Sequence, residues 1–266
     1  IDLLIRTIGL NPYKFTREEK LLMLVRLIPA VQKGTNSLEF GPPGTGKSHL
    51  YENLSQHIRM ILGGEVTPAK LIYNKTSKRP GYVFYQDLIV FDEINKPTSS
   101  LNKIIPNFQQ IMASNKVERG EMEAVTPVSL IFQGNPIPDD GAANFTFEDS
   151  VQALPKKFYD TAFLDRIHRY IHGWKFKRIN SALLTTHLGL ISNYFGEILH
   201  KLRNETFEDL ISQTIDFYAI TDAKQRKPIS IRDLKAIKAT LEGLIKLIYP
   251  DGKIEENEWK EIAELS

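Results

Sequence analysis

Apolar and polar positions alternate in two different ways along this chain. Up to about Trp174, short apolar runs of strand length alternate with stretches of helical period. Leu88 to Phe91 and Val128 to Phe132 are runs of the kind that form strands buried in a sheet, and Asn36 to Phe40 is predicted as a short strand. Ile1 to Leu10, Arg17 to Val31, Ser48 to Met60 and Leu101 to Ser114 are predicted helices. In the second of these, Leu21, Leu22, Leu24, Val25, Leu27 and Ile28 share one face, and Thr16-Arg-Glu-Glu19 ahead of it has the form of a capping box. Thr67-Pro68 predicts an N-cap followed by proline at the first helical position. Such alternation implies a mainly parallel sheet with helices on both faces.

After Trp174 strand-like runs disappear. Thr185 to Leu202, Phe207 to Tyr218 and Ile231 to Ile248 are predicted helices; in the last, Ile231, Leu234, Ile237, Leu241, Leu244, Ile245 and Ile248 form a stripe. We therefore expect an α/β fold with N-terminal helices over 1–35, an αβα core over 36–174 and an all-helical lid subdomain over 175–266.

Composition narrows the chemistry. With 266 residues, 42% hydrophobic and 25% charged, the chain is long enough for a real core and has an ordinary globular balance. It has no cysteine, so a thiolate metal site, a disulfide and a cysteine nucleophile are excluded. No apolar run reaches membrane-span length and none resembles a signal peptide; a cytoplasmic protein with no membrane partner is expected. Net charge is only +2, so nucleic-acid binding would require a local basic patch. The first residue is Ile1, which suggests a piece of a longer protein.

The strongest local signal is Gly41-Pro42-Pro43-Gly44-Thr45-Gly46-Lys47-Ser48, between a predicted strand and a predicted helix. This is the phosphate-cradling pattern G-x-x-x-x-G-K-[ST]. Its glycines let the loop curl so that consecutive N–H groups face phosphate oxygens. Lys47 supplies a point charge, the Ser48 hydroxyl is placed for Mg²⁺, and the helix start adds its positive end. The eight loop residues with Asp92 make up the expected nucleotide-binding set, and ATP with Mg²⁺ the expected ligands.

Four further stretches fit around a nucleotide. Leu88-Ile-Val-Phe-Asp92-Glu93 is an apolar strand tipped with two acids, which a parallel sheet delivers to its ligand-binding edge. Asp92 would then orient Mg²⁺ and Glu93 would polarise the attacking water. Asn135, after a third apolar strand, is a candidate to contact the γ-phosphate or the lytic water; Gly-Asn-Pro is also good turn chemistry. Arg166, with Arg169 as the alternative, is a candidate finger reaching a neighbouring subunit's phosphate, or else a surface ion pair. Arg232 lies in the first turn of a helix that Ser230 and Asp233 would cap; a cation there calls for an anion, and bound triphosphate is one answer.

These five parts in this order resemble the AAA+ ATPases: Walker A, Walker B with Glu93, sensor 1 at Asn135, an arginine finger at Arg166 and sensor 2 at Arg232. A narrower resemblance is to the AAA+ core of the Lon-like proteins of BREX phage-defence systems. It is carried by Asp2-Leu-Leu-Ile-Arg6, Leu21 to Pro29, Ala69-Lys-Leu-Ile-Tyr-Asn74, Val90-Phe-Asp-Glu93, Asp160-Thr-Ala-Phe-Leu-Asp-Arg-Ile167, Gly173-Trp174 and Gly243 to Pro250. Two departures accompany it. That family often has arginine at the position of Pro43, and its members carry a protease-like C-terminal domain. No proteolytic Ser/Lys pair is assigned in these residues.

The resemblance implies ATP hydrolysis at a subunit interface of a homo-oligomeric ring, with other BREX components as further partners. The core is also similar to the replicative MCM helicases, in which a hairpin at the place of Ser114 to Val125 touches DNA in the channel. That similarity makes Lys116 and Arg119 candidate contacts to duplex DNA. Lys75, Lys78 and Arg79 form a second basic loop. Two alternatives stand beside DNA translocation: a protein unfoldase, with Tyr82-Val-Phe84-Tyr85 as its pore loop, and an ATP-gated scaffold.

Overall fold

The computed structural model describes residues 1–63, 65–96, 99–136, 147–152, 154–159, 161–217 and 230–265. Asp160, Tyr218, Pro228 and Ile229, which entered the sequence reading, lie outside the described residues. The described strands are β1 (Asn36–Phe40), β2 (Ile58–Leu62), β3 (Tyr73–Asn74), β4 (Arg79–Pro80), β5 (Leu88–Asp92), β6 (Lys116–Arg119), β7 (Met122–Val125), β8 (Ser129–Gly134) and β9 (Arg169–His172). The helices are α1 (Asp2–Thr7), α2 (Arg17–Val25), α3 (Ile28–Val31), α4 (Lys47–Glu52), α5 (Pro68–Leu71), α6 (Ser99–Ser114), α7 (Phe147–Gln152), α8 (Thr161–Leu164), α9 (Ser192–Leu202), α10 (Glu208–Phe217), α11 (Ile231–Ile248) and α12 (Glu256–Glu264).

Five strands form one parallel sheet in the order β2-β5-β8-β1-β9. The chain is thus an α/β protein with a helical C-terminal region, as the alternating pattern implied. β1, β5 and β8 are buried along their whole length, because both sheet faces are covered. Side chains alternate between those faces. Leu88 and Val90 of β5 enter a cluster with α2, α3, α9 and α11, whereas Ile89 and Phe91 enter one with α6. In the second cluster Phe91, Phe108 and Phe132 meet at centroid distances of 4.6 to 5.6 Å.

The C-terminal helices do not stand apart from the N-terminal ones: Ile28 of α3 and Leu244 of α11 belong to one hydrophobic cluster. Buried Arg203, just after α9, donates to the carbonyls of Pro29 (2.8 Å) and Pro127 (2.6 Å). No helix among the described residues is long and apolar enough to cross a membrane.

Several boundaries differ from the sequence reading, each for a physical reason. The predicted Arg17 to Val31 helix divides into α2 and α3. Pro29 lacks an N–H and its ring would strike the carbonyl four residues back, at Val25, where α2 ends. The predicted Ser48 to Met60 helix stops at Glu52, and Ile58–Leu62 pairs with Leu88–Asp92 instead. Thr185 to Ile191 is not helical: Leu184 bridges Leu10, Leu190 N–H donates to Thr7 Oγ1 (3.0 Å), and Gly189 lies against the Thr7 backbone. The caps at Thr16, Thr67 and Ser230 form as expected.

Candidate active site

The parallel sheet brings Phe40, Asp92 and Gly134 to one edge, because β1, β5 and β8 are in parallel register there. The glycine loop leaves β1 at that edge. Gly44 and Gly46 have φ of +81° and +77°, the left-handed conformation that glycine adopts without a Cβ clash. Gly41 lies against Gly173, where a side chain on either would collide with the other's backbone. Lys47 opens α4, and its ammonium donates to the carbonyls of Gly41 (2.7 Å) and Pro42 (2.8 Å). Burial holds its pKa below the ordinary lysine value.

Ser48 Oγ donates to Asp92 Oδ2 at 2.5 Å, so the loop and the β5 tip are joined directly. Two oxygen donors on adjacent elements suit a hard divalent cation such as Mg²⁺. Glu93 follows with φ +54°, a left-handed backbone uncommon outside glycine and costing on the order of 1 kcal/mol or more. Its N–H donates to Asp92 Oδ1 (2.8 Å), and its carboxylate accepts from Lys96 Nζ at 3.0 Å.

Pro43, Gly44, Gly46, Lys47, Ser48, Asp92, Glu93 and Asn135 line one open cleft of about 380 Å³. Asn135 is held by Asn95, which accepts from its N–H (3.2 Å) and donates to its carbonyl (3.1 Å). A second, more apolar cavity of about 230 Å³ shares Gly46 and His49 with this cleft; Ile8, Leu10, Leu54 and Ile179 are among its walls.

Beneath the loop lies a buried ion pair. Arg26 Nη2 meets Glu39 Oε1 at 2.5 Å, and Arg26 Nη1 donates to the Thr45 carbonyl at 3.0 Å. Arg26 also stacks 3.5 Å from the Phe176 ring centre.

The two candidate arginines are elsewhere. Arg166 and Arg232 line a separate cavity of about 160 Å³, with Asp165, His168 and Lys235. Arg166 donates to the Ala162 carbonyl, and Arg232 is ion-paired with Asp165. Within one chain, then, the anion answering Arg232 is Asp165 and not a group in the phosphate cleft. Arg169, the alternative to Arg166, does not share that cavity. It lies on β9, 7% exposed, bonded to Ser37 (3.3 Å) and Thr240 (3.2 Å).

With this geometry in view, comparison with known families is decisive. All of residues 1–266 match the family described as Lon-like protease BrxL-like, ATPase domain. The chain belongs to that family. It is 33% identical over 252 residues to the Lon-like protease BrxL of Escherichia coli O9:H4 (strain HS), covering 95% of this chain and 35% of the relative. It is 32% identical over 265 residues to the Lon-like protease BrxL of Bacillus cereus (strain H3081.97), covering 98% and 38%. The chain thus spans little more than a third of the length of these relatives. Membership in an ATPase-domain family brings nucleotide binding with it, and the cleft around Gly41 to Ser48 has the shape and charge for that role.

The expected DNA contacts fall close together. β6 and β7 form a hairpin with Gly120 (φ +69°) at its turn. Arg119 Nε donates to the Tyr73 carbonyl (2.9 Å), and the Lys75 side chain runs beside Gly120. This joins the hairpin to the exposed loop carrying Lys75, Lys78 and Arg79. Electrostatics separate the two: Glu118 and Glu123 face each other across the hairpin, so its exposed side is acidic despite Lys116.

Sequence reasoning missed Asn95, Lys96 and His49 in the cleft, and the Arg26–Glu39 pair. Glu39 left a signal: an acid in the strand that leads straight into the phosphate loop, a place where a core strand is buried.

Proposed function

We propose that this chain hydrolyses ATP at the interface between copies of itself, and that the ring so formed works on double-stranded DNA in BREX-type phage defence. One observation carries the reading. The cleft with the phosphate loop, Asp92 and Glu93 has no arginine in its wall among the described residues, while Arg166 and Arg232 sit together in another cavity.

In this reading one copy binds ATP, with its triphosphate on the loop and its base in the adjoining apolar cavity. Ser48 and Asp92 would hold Mg²⁺, which supplies charge neutralisation for the transferring phosphoryl group. Glu93 accepts the proton of the attacking water, and Asn135 orients it. A neighbouring copy brings Arg166 to the developing charge; Arg232 leaves Asp165 for the same anion. Arg26 and Glu39 position the loop from below. The loop at Lys75, Lys78 and Arg79 contacts DNA phosphates, with Lys116 and Arg119 at its border. The setting is cytoplasmic, and other BREX components are its partners.

Mixing experiments test the shared site. Glu93→Gln and Arg166→Ala proteins are each expected to be inactive, and to regain ATPase activity when mixed. A mixture no better than its components would refute a site shared between copies. Duplex binding with ATP, followed over a salt series, tests the DNA part: a flat response would remove it.

A further inference from the structure

We propose that His57, Asp87 and His200 form a binding site for a borderline transition-metal dication, best fitted by Zn²⁺, which ties α9 to the sheet. None of the three lines the phosphate cleft, so the inference is independent of the reading above.

The three come from separate elements. His57 lies in the turn before β2, Asp87 immediately before β5, and His200 in the last turn of α9. One ligand atom from each falls within 4.8 Å of the others. His200 Nδ1 is 2.6 Å from Asp87 Oδ2, and His57 Nε2 is 2.8 Å from Glu197 Oε1. Glu197 and His200 are three residues apart on α9, the spacing that puts a carboxylate and an imidazole on one helix face. His57, Asp87 and His200 are the three protein ligands, Glu197 supports His57 from outside the group, and a water would fill the fourth position.

The choice of ion follows from the donors. Nitrogen and oxygen together favour zinc, cobalt or nickel; calcium and magnesium prefer oxygen alone. Asp87 and Glu197 bring two carboxylates beside the rings. Arg203 pairs with Asp87 Oδ1 (3.3 Å), leaving Oδ2 directed at the histidines. Gln56 donates to Glu197 at 2.9 Å. Such supports around the ligands are what a metal site needs.

The rings now stack at 4.2 Å with planes 15° apart, an arrangement in which two in-plane lone pairs do not meet at one point. Binding therefore requires rotation about χ2, a broad torsion, and contraction until each donor is about 2.0–2.2 Å from the ion. An ion would thus replace the His200–Asp87 hydrogen bond by a tighter cross-link between α9 and the β2/β5 edge.

The test is titration of Co²⁺ into chelator-stripped, nucleotide-free protein. The expected result is the ligand-field absorption of four-coordinate Co²⁺, saturating at one equivalent and abolished by Zn²⁺. His57→Ala and His200→Ala should each remove it. Asp92→Asn should leave it, which separates this site from the phosphate cleft. Glu197→Gln, which loosens His57 without removing a ligand, should weaken binding about tenfold. Should a histidine variant lose its native circular dichroism, zinc-edge X-ray absorption of the parent protein decides: two imidazole ligands are expected. Absence of saturable binding, persistence in both histidine variants, or a zinc shell without imidazole would overturn the proposal and leave a hydrogen-bonded clamp only.

Discussion

Two arginine–carboxylate pairs in this molecule have the same chemistry and opposite surroundings. Arg26 and Glu39, under the phosphate loop, have side chains 5% and 0% exposed; Arg232 and Asp165, at the far cavity, are 63% and 48% exposed. The first has surrendered its water, so neither partner can be removed without stranding a buried charge. The second is screened and holds Arg232 weakly. In the proposed nucleotide cycle the two kinds of pair have different uses. The buried pair braces the loop, and the exposed pair leaves Arg232 easy to release, as the proposed cycle requires.

That contrast can be broken experimentally. The largest effect is expected at the loose cavity: Arg166→Ala should lower kcat about 10³-fold or more, with ATP affinity little changed. A drop below about tenfold in steady-state ATPase assays would mean that the cavity has no catalytic part. Next comes the buried pair. Glu39→Ala leaves Arg26 unpaired and should cost about 3–5 kcal/mol of stability in denaturant unfolding.

His168 gives a smaller, pH-dependent effect in the cavity that Arg166 and Arg232 line. Burial, reinforced by Arg169 and Lys235, lowers its pKa to about 4 from the ordinary 6.5. Its ring accepts from Asn36 N–H at 3.1 Å, which only the neutral form permits. The unfolded chain therefore takes up the proton first as pH falls. This contribution is full above about pH 6.5 and is lost toward pH 4, a change of about 3 kcal/mol. Chemical unfolding at several pH values, with His168→Asn as the control that flattens the response, measures it. The smallest effect belongs to Arg232→Ala, which should alter stability by less than about 1 kcal/mol. A loss as large as that of Glu39→Ala would erase the distinction between the two pairs.

The parts legible in the sequence were those whose geometry is local. Gly41 to Ser48 codes its own curl, and Leu88 to Glu93 carries both its burial and its acidic tip within six residues. The capping boxes at Thr16 and Ser230 were equally visible, since each is closed within four residues. The predicted helix runs on to Met60, into β2, because Ile58 to Leu62 has no strand signature apart from its pairing with β5. Arg169 stands as the alternative to Arg166 in the sequence because they are three residues apart, yet one enters a strand and the other remains partly exposed in a turn.

By itself, then, the sequence determined the phosphate loop, the acid-tipped strand, the α/β character and the family. Each rests on patterns shorter than a dozen residues or on similarity along the whole chain. Only the tertiary structure decided which anion faces Arg232, that Glu39 and Arg26 meet under the loop, that the two basic segments lie side by side, and that His57 lies against His200. These contacts join positions from 13 to 143 residues apart. Chain topology sets such meetings, and no local propensity records them.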